Sequence, residues 1–121
     1  MKVNNLLSAL LLLITTSTSL VSFTMLPSCY TVDFTNSEDE YPANEPVGFI
    51  DLTNAGGGTS YTWTLDGTTI GTSSTVEFAD YEYDQDYELG LRVTTASCDK
   101  YVVKTFRVEL RAGGNGVVAW P

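Results

Sequence analysis

The sequence predicts an all-β protein: a single β-sandwich of about seven strands, preceded by an N-terminal segment of a different character. Three observations predict it. From residue 31 onward no stretch carries the 3.6-residue apolar period of a helix. Short runs of alternating apolar and polar residues recur at roughly ten-residue intervals, and Gly, Asn, Asp and Ser clusters bound them.

Residues 1–28 read as an export segment. Lys2 supplies a positive charge, Leu6 to Ile14 is an uncharged apolar run, and Thr15 to Ser19 is hydroxyl-rich. A cleaved signal peptide fits this pattern. Leu6 to Met25 also lacks any charge over a length that suits a membrane-spanning anchor, although its many hydroxyl residues weaken that reading. Cleavage falls either near Ser19 or Ser22, or before Cys29, where Leu26-Pro27-Ser28-Cys29 resembles a bacterial lipobox.

The strands follow in order: Thr31–Thr35, Pro46–Leu52, Thr59–Leu65, Thr68–Gly71, Thr75–Phe78, Asp86–Thr95 and Tyr101–Leu110. Ala55-Gly56-Gly57-Gly58 offers positive-φ positions after the second strand, and Asp66-Gly67 is a strong hairpin signal between the third and fourth. Alternation assigns the inward faces. They comprise Val47 and Phe49; Tyr61, Trp63 and Leu65; Val76 and Phe78; Tyr87, Leu89, Leu91 and Val93; and Phe106, Val108 and Leu110. Trp63 falls where a sandwich buries its central aromatic, and Tyr87 where a tyrosine corner stands. Strands of this number and spacing suit an immunoglobulin-like sandwich over residues 29–112. Residues 113–121 then form a Gly-rich hinge and an apolar tail that either folds back on its own sandwich or frays, as chain ends do, or binds a partner by strand addition through the candidates Val117, Val118 and Trp120.

Cys29 and Cys98 are the only cysteines. In a sandwich of this order, the start of the first strand and the loop between the last two strands lie at the same end, so a Cys29–Cys98 disulfide needs little distortion. Lipidation of Cys29 is the alternative, and two free thiols a third. Bridge and lipid exclude each other because both consume the Cys29 sulfur.

Composition narrows the chemistry. Six basic residues stand against fifteen acidic ones, a formal net charge of −9, which repels nucleic acid and anionic lipid. Contact with a membrane is therefore expected only through an N-terminal lipid or anchor. With no histidine in the chain, Ser-His-Asp and Cys-His catalysis and ordinary zinc sites are excluded. Asp80, Glu82, Asp84 and Asp86 alternate along one segment and are the candidate ligands for Ca²⁺, a hard cation that prefers oxygen. They equally describe a solvated loop. Tyr81 and Tyr83, with an exposed Trp120, are candidates for an aromatic platform that stacks on sugar rings; the alternative is that Tyr81 or Tyr83 packs at a corner of the sheet.

Three segments resemble the PKD (polycystic kidney disease repeat) family of surface domains. Pro46 to Thr53 resembles its first core strand. Tyr61-Thr-Trp-Thr-Leu-Asp-Gly67 is similar to its Tyr-x-Trp-x-Phe-Gly-Asp-Gly motif, one residue shorter, and Tyr87-Glu-Leu-Gly-Leu-Arg-Val93 to its Tyr-x-Val-x-Leu-x-Val strand. Cys98 lies where many bacterial members carry a cysteine. The resemblance implies a non-enzymatic, extracytoplasmic binding or adhesion module, secreted, periplasmic or on the cell surface, that presents a face to other surface proteins or glycans. No cofactor is implied. The alternative is a structural subunit that self-assembles into a surface filament through its C-terminal tail.

Overall fold

A computed structural model describes residues 29–121, and the expected signal or anchor segment lies outside the described residues. Eight strands and no helix make up the described chain: β1 (Phe34–Asn36), β2 (Val47–Asp51), β3 (Ser60–Leu65), β4 (Thr68–Gly71), β5 (Thr75–Phe78), β6 (Tyr87–Thr94), β7 (Asp99–Leu110) and β8 (Gly116–Ala119). They form two antiparallel sheets, ordered β1-β2-β5 and β4-β3-β6-β7-β8, that pack as a β-sandwich.

Local chemistry explains most of these bounds. The Asp66-Gly67 turn joins β3 to β4 with φ of 48° and 87°, the left-handed pair that a tight hairpin requires. β6 and β7 pair from Tyr87↔Phe106 to Thr94↔Asp99, so the tight turn at Thr95–Cys98 lets β7 begin two residues earlier than the alternation alone predicts. β1 begins three residues later than expected. Ahead of it Tyr30 is held to the other sheet, its hydroxyl 2.7 Å from the Val93 carbonyl and 3.0 Å from that of Cys98, while Asp33 stays bonded to Leu52 and Thr53.

The core lies between the sheets. Phe34, Val47, Phe49, Trp63, Leu89, Leu91, Val93, Phe106 and Val108 are fully enclosed, and Tyr87 nearly so. Each such side chain contributes roughly 1.5–3 kcal/mol of apolar burial. Phe34 meets Trp63 edge-on at 5.2 Å, and Phe49 lies 4.9 Å from Phe106 across the sandwich. The Trp63 indole N–H donates to the Ser73 carbonyl at 2.7 Å, and the Tyr87 hydroxyl accepts from the Glu82 N–H at 2.8 Å.

Four residues expected inside fall short of burial: Tyr61 and Leu65 flank Trp63 on β3 and are half-buried, and two more stand at strand ends. Leu110 ends β7 next to the turn and is 54% exposed. Phe78 ends β5 and is half-buried, its ring edge-on to Tyr81 and Tyr87 at the end of the sandwich.

Of the courses open to the C-terminal segment, it takes the one that folds back on its own sandwich. In place of a hinge and a free tail, residues 111–115 make a closed turn and β8 pairs with β7 in register from Arg107↔Ala119 to Leu110↔Gly116. Val118 is buried, while Val117 and Trp120 are half-buried. The Trp120 ring reaches between the sheets, about 6 Å from Phe34, Phe49 and Phe106, and its indole N–H donates to Asn36 Oδ1 at 3.0 Å. Burying these side chains and pairing the backbone is worth more than leaving the apolar segment in water.

Candidate functional site

The outward residues of β3, β6 and β7 line up in rows across the large sheet, because antiparallel partners share a face. One row runs Thr62, Arg92, Tyr101; the next runs Thr64, Gly90, Val103, with Thr69 of β4 beside Thr64. Together they line an open groove of about 600 Å³, within the size range of small-ligand sites. Gly90 is buried beneath them. A Cβ at this position would lie 2.6 Å from Thr64 Oγ1 and 3.5 Å from Val103 Cγ2, so glycine lets the threonine and the valine close over the strand.

Tyr101 and Val103 are 74% and 50% exposed, an aromatic and an aliphatic side chain standing outward in the first half of the longest strand. Beside them Arg92 grips Asp99 through two parallel bonds, Nε to Oδ1 at 2.7 Å and Nη2 to Oδ2, and Thr94 Oγ1 adds a third to Oδ1 at 3.0 Å. The Arg92 bonds, followed by that from Thr94, hold the Asp99 carboxyl down at about 2. The pair presents both donors and acceptors to solvent while cancelling its own charge.

The residues singled out in the sequence lie elsewhere. Asp80, Glu82, Asp84 and Asp86 are all exposed on the connection before β6. The alternation that would converge them is broken by a left-handed residue at Asp84 and by pairing of Tyr83 with Val108, and Arg107 takes Asp86 into an ion pair at 2.7 Å. Among the described residues no three acidic or cysteine side chains come together in a metal-binding group. Tyr81 and Tyr83 stack edge-on at 5.5 Å, but their hydroxyls are tied to the 42–45 loop, to the Glu45 carbonyl and the Asn44 N–H. Burial first, then Tyr83, pushes the Tyr81 phenol up to about 12. Trp120 faces the core cluster instead, so the three aromatics form no common platform.

Cys29 and Cys98 are joined in a disulfide with their Cα atoms 5.8 Å apart, inside the ordinary range. A thioether lipid at Cys29 would need the sulfur that this bond uses. The bridge ties the chain ahead of β1 to the β6–β7 turn, one residue before Asp99 of the groove.

The sequence reading missed the groove. Its signal was present in Tyr101-Val102-Val103, apolar on both parities where a half-buried strand shows one. Comparison with protein-family models, with curated proteins and with solved structures finds no match to this chain.

Proposed function

We propose that this chain is a non-enzymatic binding and adhesion module of PKD or immunoglobulin-like type, working outside the cytoplasm through the outer face of its five-stranded sheet. The observation that carries the reading is the groove itself. Tyr101 stands 74% exposed near the start of β7, with Val103, 50% exposed, two residues along the same face. Such an exposed aromatic on a rigid sheet is the usual form of a recognition anchor.

Other features support the family and the compartment. β1-β2-β5 facing a sheet centred on β3 and β6, a buried Trp63 on β3 and the Tyr87 hydroxyl bonded five residues upstream agree with an immunoglobulin-like pattern. The Cys29–Cys98 disulfide suits an oxidising compartment, as the apolar run Leu6 to Ile14 suits export.

The test is retention of the labelled protein on envelope preparations of its own cell. Wild type is retained and Tyr101→Ala is lost at unchanged melting temperature. Equal retention of both removes the groove from the function.

A further inference from the structure

We infer that the ligand of this groove is a neutral carbohydrate chain, with Tyr101 stacking on one sugar ring and the Arg92–Asp99 pair bonding its hydroxyls. The inference rests on the binding reading above and names its ligand.

A sugar ring has apolar C–H faces and a rim of hydroxyls that both donate and accept, and the groove offers partners for both. The exposed phenol ring of Tyr101 supplies a flat apolar surface, with Val103 next to it. Thr62, Thr64 and Thr69 set three hydroxyls along the opposite side. Arg92 uses Nε and one Nη2 hydrogen on Asp99, and its remaining N–H groups stay available; Asp99 keeps free lone pairs. Because Arg92 and Asp99 hold each other in place, neither loses much side-chain freedom when a ligand arrives.

Charge selects among ligands. The chain carries −9 overall while the groove's own charged groups cancel, which disfavours sulfated or uronic polymers and nucleic acid. A protein partner would need a wider apolar centre depleted of charge. Here Tyr101 and Val103 are ringed by hydroxyls and an ion pair.

The experiment measures binding of the disulfide-bonded protein to a panel of soluble neutral polysaccharides (glucans, mannans, galactans and chitin oligomers), with polygalacturonate as the anionic member. At least one neutral polymer is expected to bind. Tyr101→Ala then weakens it tenfold or more, Tyr101→Phe stays within about twofold because the ring remains, and Thr62→Val lowers affinity several-fold. Binding to no neutral polymer, or binding indifferent to Tyr101→Ala, overturns the inference. Periodate treatment of the cell envelope separates it from the reading beneath. Retention that Tyr101→Ala abolishes but periodate leaves intact overturns the carbohydrate and keeps the binding face. Retention indifferent to Tyr101→Ala overturns both.

Discussion

Single side chains seal this sandwich where its backbone ladders stop. Lys104 Nζ reaches across to Asp33 Oδ1 at 2.5 Å and the Phe34 carbonyl at 2.7 Å, and lies over the Phe34 ring at 4.7 Å. That contact closes the exposed edge of β1, an edge that would otherwise invite another strand. The Lys104 bond holds Asp33 below the usual carboxylate range, as Arg92 holds Asp99 at about 2. A folded-state pKa below the unfolded one adds stability that is present above the unfolded value and lost as pH falls through the folded one. Melting temperature is therefore expected to drop between about pH 4 and pH 2, and the Asp33→Asn, Asp99→Asn double variant to show a shallower drop. An identical acid profile would place the loss in other groups. Both ion pairs are largely exposed, so the effect at neutral pH is small.

At the scale of elements, β8 is the informative case. The sequence shows an apolar Val117-Val118-Ala119-Trp120 after a glycine-rich stretch, a pattern equally suited to a tail that docks on another chain. Only the position of β7's free edge and the gap between Phe34, Phe49 and Phe106 decide that it closes its own sheet. Trp120→Ala is expected to destabilise by about 3 kcal/mol, read from the denaturant midpoint, and Trp120→Phe by less. A free tail would leave the midpoint unchanged. β3 to β6 were legible for a different reason. The turns from β3 to β5 are short and the alternation of β6 strong, so β4 and β5 match the predicted bounds residue for residue. β1 was harder to place because long-range bonds from Tyr30 and the bridge move its start.

For the whole molecule, the disulfide spans 69 residues and joins the start of the described chain to the β6–β7 turn. Closing a loop of that length removes unfolded-state entropy worth about 4 kcal/mol. Cys29→Ser with Cys98→Ser is expected to lower stability by about that much in thermal or denaturant unfolding, and the intact wild-type chain to weigh two hydrogen atoms less than its reduced form. An acyl mass on Cys29 would exclude the bridge. The outer groove belongs to this scale too, since Thr62, Gly90 and Tyr101 come from three strands whose rows register only once the sheet is built. By itself the sequence determined the all-β class, the central strands, most of the core and the pairing of the cysteines as one of three options, because periodicity and turn chemistry are local. The tertiary structure alone decided where β8 docks, how the acidic segment disperses and which outward residues meet in a groove, because those depend on neighbours far apart in the chain.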